Sequence, residues 1–191
     1  TGYEIREGDK LVGLREDGFR SNGLSLLRRV MRSAYGDDWH NETYNGRNLA
    51  ESALHPSRIY TRAVVDMFGG FDGEPKAKIH GVAHITGGGI PGKLGRVLKP
   101  SGLGADIIDP FDPCELMLYC QEKGAVPDEE AYRTWNMGQG MIIATPEPEK
   151  VMAVAEEYNI DSKVIGQVSS DPSIRIGNKG LNSDRQKTLA F

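Results

Sequence analysis

The segment from Lys78 to Gly89 constrains the fold most, because an alternating strand pattern runs there into three consecutive glycines. From Lys78 to Ile85, alternation places His80, Val82 and His84 on one face of a strand and Ile79, Gly81, Ala83 and Ile85 on the other. His84 therefore stands at the strand's exit, followed by Thr86, Gly87, Gly88 and Gly89. Glycines carry no Cβ, so successive N–H groups can converge on an anion or on a second chain segment. Pro91 suits the first position of a short helix, whose free N–H groups would add to the same positive end. By itself the pattern more often describes a tight turn beside a hydrogen-bonded surface histidine.

The remaining chain reads as strands separated by helices. Lys10 to Leu14 is a strand apolar on both faces, and Ser21 or Asn22 is placed to cap a helix from Leu24 to Ser33 that buries Leu24, Leu27, Val30 and Met31. Residues 36–51 are polar without a period and read as an exposed connector. A second helix is expected from Ser57 to Phe68, with Ile59, Ala63, Val64 and Met67 as its apolar stripe. After the helix at Pro91–Leu98 come a strand at 104–108, helices at 113–123 and from 128, a strand at 141–145, a helix at 147–158 and a strand at 164–168. Ile174 to Ile176 adds an edge strand. This alternation predicts an α/β (α+β) domain with helices layered on a sheet. It occupies residues 1–177, and 178–191 is a polar, mobile tail in which Leu189 and Phe191 could dock.

Length and composition narrow the class. A chain of 191 residues suffices for one domain with a core. A formal net charge of −4 with both signs interspersed argues against a nucleic-acid partner. No run approaches the ~20 apolar residues of a membrane span, so the chain reads as soluble and cytoplasmic. Cys114 and Cys120 fall on different faces of a helix and read as reduced thiols rather than chelators. Asp106 and Asp109 read as turn formers, no metal ligand is assigned, and no nucleophilic triad can be assembled.

Four words carry more than any one of them: Gly18-Phe19-Arg20-Ser21-Asn22-Gly23-Leu24, His55-Pro56-Ser57-Arg58-Ile59-Tyr60, Ala83-His84-Ile85-Thr86-Gly87-Gly88-Gly89 and Trp135-Asn136-Met137-Gly138-Gln139-Gly140. In this order they resemble the C-terminal half of aminoimidazole ribonucleotide synthetase, the phosphoribosylformylglycinamidine cyclo-ligase of purine biosynthesis. The resemblance implies a three-layer α/β/α sandwich with a mixed sheet. It also implies an ATP-dependent ligase that closes formylglycinamidine ribonucleotide to aminoimidazole ribonucleotide. The family's N-terminal nucleotide-binding domain lies outside this chain, and ATP and Mg²⁺ are expected mainly there. Thr1, which opens the chain in place of a methionine, reads as a cut at that boundary. A homodimer is a further expectation.

Within the part present, the resemblance makes His84 the catalytic candidate, since an imidazole can donate to a developing oxyanion or move a proton near neutral pH. Ser21 and Asn22 are expected at the substrate cleft, and Thr86 with Gly87, Gly88 and Gly89 is expected to hold phosphate or the formyl-bearing chain. Arg58 either pairs with a substrate phosphate or faces water. Asn136 and Gly138 shape the cleft wall. Arg20 departs from the family, which has histidine there; it keeps a donor, adds a permanent charge and loses any proton-transfer role. Two other readings share these words in part: a related superfamily kinase or dehydratase, and a non-catalytic ribonucleotide-binding paralogue.

Overall fold

A run apolar on both faces must be covered on both sides, and Lys10–Arg15 (β1) lies in the middle of the sheet with Leu11, Val12 and Leu14 fully buried. The structure, a computed structural model, describes residues 2–191; Thr1, on which the domain-boundary expectation rests, lies outside them. β1 runs antiparallel to Gln139–Thr145 (β6) on one side and to Ser162–Ser169 (β7) on the other. Gly81–His84 (β4) closes one edge against β6, while Gly104–Ile107 (β5), Ile174–Gly177 (β8) and Thr188–Ala190 (β9) extend the other. The order is β4-β6-β1-β7-β5-β8-β9, and the parallel pairing of β5 with β8 makes the sheet mixed.

Side-chain alternation sorts the core into two halves. Leu11, Ala83, Ile85, Ile142 and Ala144 face the helices Leu24–Tyr35 (α1), Gly89–Leu98 (α4), Glu115–Gly124 (α5) and Asp128–Thr134 (α6). Val12, Leu14 and Ile143 face Thr61–Met67 (α3) and Pro148–Glu157 (α7). Helices on both faces of a mixed sheet are the three-layer α/β/α sandwich that the resemblance implies. Each fully buried aliphatic side chain contributes about 1.5–3 kcal/mol, and a slip of one residue would turn both sets to the wrong layer.

β4 alternates as its sequence predicts: Gly81, Ala83 and Ile85 are buried, Val82 is half-buried and His84 is exposed. His80 shares His84's face but is buried, with Nδ1 2.7 Å from Asp9 Oδ2.

Several local expectations are corrected. The residue that caps α1 is Gly23 in a left-handed conformation (φ 71°), with no side-chain cap from Ser21 or Asn22. Trp135 lies so close that a Cβ at Gly23 would meet its ring, which explains the glycine. The connector at 36–51 is not featureless: Thr43–Tyr44 (β2) and Arg47–Asn48 (β3) form a hairpin around Asn45 and Gly46, both at positive φ. It leads into Leu49–Ala53 (α2), where the Asn48 side chain accepts from the Glu51 amide. α3 begins at Thr61 rather than Ser57, leaving Ile59 77% exposed on a strap before it. α4 begins two residues ahead of Pro91.

The segment from Asn178, expected to be mobile, is tied down. The Asp128 carboxylate, buried at the start of α6, accepts from Gln121 Nε2, Asn178 Nδ2 and the Asn182 amide. β9 then adds to β8, so β8 is not the edge, and Leu189 is fully buried. Leu189→Ala should therefore cost about 2–4 kcal/mol in urea unfolding. Phe71→Ala, at a fully exposed side chain, should stay within about 0.5 kcal/mol; equal effects would mean that the terminal strand is not part of the folded unit.

Candidate active site

Where β1 leaves the sheet, the chain turns through Glu16, Asp17, Gly18 and Phe19 to Arg20, and each step is held from a distant element. The Glu16 amide donates to Gly138 O at 3.0 Å. Asn136 Nδ2 donates to Gly18 O at 2.8 Å while its Oδ1 accepts from the Gly138 amide at 2.9 Å. Asn136 is buried and Gly138 has φ 86°, so both brace this turn from within rather than opening onto a cleft.

Arg20 is the unusual residue of the turn, a non-glycine at φ 63°. Its guanidinium meets Glu16 Oε2 at 3.5 Å, donates to Gly140 O at 3.3 Å and lies 5.3 Å from the centre of the Tyr60 ring. Its Nη2 donates to His84 Nε2 at 2.6 Å. The Tyr60 hydroxyl donates to Arg15 O at 2.6 Å and lies 3.0 Å from Glu16 Oε2. Burial, and then the neighbouring Glu16 carboxylate, push the Tyr60 phenol above its usual range, so it remains a donor.

His84, Arg20, Ser21, Arg58, Tyr60 and Met141 line one cleft of about 460 Å³ between the β4 edge and α3. Partial desolvation in the cleft holds the His84 pKa below its ordinary 6.5, and the charges of Arg20 and then Lys93 lower it further. The cationic ring is thus disfavoured. Beyond it, Gly87 lies beside Asn22, whose Oδ1 is 3.7 Å from where a Gly87 Cβ would sit.

The three glycines divide by role. Gly87 and Gly88 are exposed, and their amides donate to no main-chain acceptor among the described residues. Gly89 is buried and donates to Thr86 O at 2.9 Å; a Cβ there would collide with Tyr132 O. Gly89 is therefore a packing glycine, and two amides rather than three are left without a main-chain acceptor among the described residues.

Arg58 is held within the chain while lining the cleft. It donates to Asp17 Oδ2 and to Asn159 O, each at 2.7 Å. Burial raises the Asp17 carboxyl, but hydrogen bonds from Arg58 and Arg15 outweigh it and leave the group below the usual range. Sequence reading missed Glu16, Tyr60 and Lys93. Tyr60 directly follows Ser57-Arg58-Ile59 in the second of the four words, but only folding brings it against Glu16.

A larger hollow of about 580 Å³ lies over Asp106, Gln167 and Arg175. Both of its carboxylates are taken up, with Arg175 Nε donating to Asp106 Oδ1 at 2.6 Å and Lys163 Nζ to Asp109 Oδ2 at 2.7 Å. The His84 cleft is the better candidate because it gathers residues from three of the four sequence words, Arg20 and Ser21, Ser57 to Tyr60, and His84. Among the described residues no group of three or more His, Cys, Asp or Glu is placed to hold a metal ion, and no helix is long and apolar enough to cross a membrane.

A family model described as AIR synthase related protein, C-terminal domain, matches residues 6–178. The chain belongs to that family. This AIR synthase related domain is 40% identical over 169 residues to the phosphoribosylformylglycinamidine cyclo-ligase of Methanopyrus kandleri, covering 88% of this chain and 46% of that protein. It is 36% identical over 182 residues to the enzyme of the same name from Thermococcus kodakarensis, covering 95% and 50%. The domain thus spans about half the length of the curated relatives it matches, and those relatives are enzymes. Two solved structures share its fold: a thiamine-monophosphate kinase from Stenotrophomonas maltophilia (TM-score 0.57, 12% identity, 93% of this chain and 52% of that one) and T. maritima PurL complexed with FGAR (TM-score 0.55, 14% identity, 97% and 27%).

The lowered His84 pKa has a measurable sign. The unfolded chain binds the proton more readily, so the contribution of His84 to stability is present above about pH 6.5 and is lost as pH falls toward the folded value. NMR titration should place His84 below 6.5, and Arg20→Ala should raise its midpoint; a midpoint unmoved by that change would remove Arg20 as a cause.

Proposed function

We propose that this chain is the C-terminal domain of an ATP-dependent cyclo-ligase converting formylglycinamidine ribonucleotide to aminoimidazole ribonucleotide in purine biosynthesis. One observation carries the reading: His84, its cation disfavoured, lines a cleft with Arg20 against it, Lys93 near enough to act on it, and the amides of Gly87 and Gly88, which have no main-chain acceptor among the described residues, next in the chain. Such a cleft suits a phosphorylated metabolite, because backbone amides and cations stabilise anionic oxygens without rearranging when charge develops.

ATP, when bound, supplies the phosphoryl group that turns the formyl oxygen into a leaving group. The residues of this chain would position and stabilise. Gly87, Gly88, Thr86 and Asn22 would hold the phosphate or the formyl-bearing arm, and Ser21 would border it. His84 would donate to the oxygen on which charge builds as the internal amine attacks. The product ring closes as phosphate departs.

The cleft does not itself suit Mg²⁺, which needs free oxygen ligands. Glu16 is taken up by Arg20 and two backbone amides, and Asp17 by Arg15 and Arg58. No metal step is assigned to these residues. We infer that ATP and its metal belong to a complementary N-terminal domain, that residues 1–191 alone are inactive, and that a second copy pairs with the first.

The alternative of a non-catalytic ribonucleotide-binding paralogue rests on Arg20 standing where the family has histidine. One assay separates the readings. This chain joined to the N-terminal half of the Methanopyrus kandleri relative should form aminoimidazole ribonucleotide with ATP, and His84→Ala should lower kcat about 10²–10³-fold. Binding of the substrate without phosphate release would favour the paralogue, and turnover by residues 1–191 alone would overturn the assignment of ATP to the other half.

A further inference from the structure

We propose that Glu16, acting through Arg20, is a positioning residue that fixes His84 as its Nδ1–H tautomer. His84 then serves the cleft as a hydrogen-bond donor through Nδ1 and not as a proton acceptor through Nε2. The inference rests on the reading of His84 as the reacting-side group, and it specifies which atom and which direction of transfer that group offers.

The tautomer follows from the chemistry of the pair. A guanidinium has only donors and does not lose its proton in proteins. Its Nη2 lies 2.6 Å from His84 Nε2, so Nε2 must present a lone pair and the ring proton must sit on Nδ1. An imidazolium would set one N–H against another across that distance. Free imidazole in histidine favours the opposite tautomer, so the arrangement has to be imposed.

Imposing it requires Arg20 to stay in place, and the structure holds it from three sides. Its backbone is left-handed at φ 63°, a conformation a β-carbon disfavours. Gly140 O takes one Nη1 proton, the Tyr60 ring lies under the guanidinium, and Glu16 Oε2 faces Nε. Glu16 is the anchor. Its side chain is 1% exposed and that of Arg20 9%. Its other oxygen accepts from the Asp17 amide at 3.2 Å and the Arg58 amide at 3.5 Å, and the Tyr60 hydroxyl, whose proton goes to Arg15 O, lies 3.0 Å from Oε2.

The charged groups around His84 are consistent in sign. Arg20 from the β1–α1 loop and Lys93 from α4 disfavour its protonation. Met141, its partner on β6, is neutral. Arg58 lines the same cleft but is neutralised by Asp17. Glu16 lies behind Arg20, not against the ring.

The test is a long-range ¹H–¹⁵N correlation spectrum of the imidazoles in the 191-residue chain at pH 7.5, where no substrate is needed. His84 should show a protonated Nδ1 and an unprotonated Nε2, and Arg20→Ala should shift it to the Nε2–H pattern. Glu16→Gln should do the same or bring the two forms into exchange, while Asp17→Asn, which disturbs the neighbouring pair, should leave the pattern unchanged. A wild-type ring with its proton on Nε2 would overturn the proposal. So would a folded Glu16→Gln protein with the wild-type pattern. If Glu16→Gln does not fold by circular dichroism, the wild-type and Arg20→Ala spectra still decide the tautomer, and Glu16→Asp, which keeps the charge, should retain Nδ1–H. Failure of the cyclo-ligase assay with the Nδ1–H spectrum intact would count against the function alone.

Discussion

The whole arrangement depends on β1 being buried on both faces. A strand with Leu11, Val12 and Leu14 all inaccessible to water cannot shift along its neighbours without exposing one layer of the core. Its end is therefore fixed relative to β6, and the turn from Glu16 to Arg20 is delivered to one place beside the His84–Met141 register of β4 and β6. The site is an outcome of strand register before it is an outcome of any polar contact.

Polar contacts then sharpen it. The turn after β1 has little intrinsic shape, and it gains one from Asn136, Gly138, Gly140 and Tyr60, all supplied from elsewhere in the chain. A buried carboxylate is stable only when its oxygens are met by donors, and Glu16 is met by two backbone amides and the Arg20 guanidinium. Together with Gly140 O and the Tyr60 ring, these contacts hold the guanidinium against the histidine beyond it.

Much of the fold was legible locally. The double-sided apolar run of β1, the alternation that left His84 outward, and the helical spacing of Leu27, Val30 and Met31 all survive in the structure. Misreadings cluster where a local pattern was overridden or weak. Ser21 and Asn22 look like a helix cap, yet Gly23 takes that position because Trp135 packs against it. Asn45-Gly46 was a hairpin signal too short to be read without flanking strands of any length. The terminal segment looked mobile from its polarity, while one apolar residue, Leu189, and a buried Asp128 were enough to dock it.

The sequence by itself determined which residues form the layers and which end of β4 carries His84, because periodicity and glycine placement are properties of neighbouring residues. Only the tertiary structure decided which donors are free. Gly89 lost its amide to Thr86 and its open face to Tyr132. Arg58 was drawn to Asp17, and Arg20 was brought to a histidine 64 residues away and a carbonyl 120 residues away. Hydrogen-bond partners so far apart in the chain leave no local trace, since only the packing of the sheet against its helices brings them within reach.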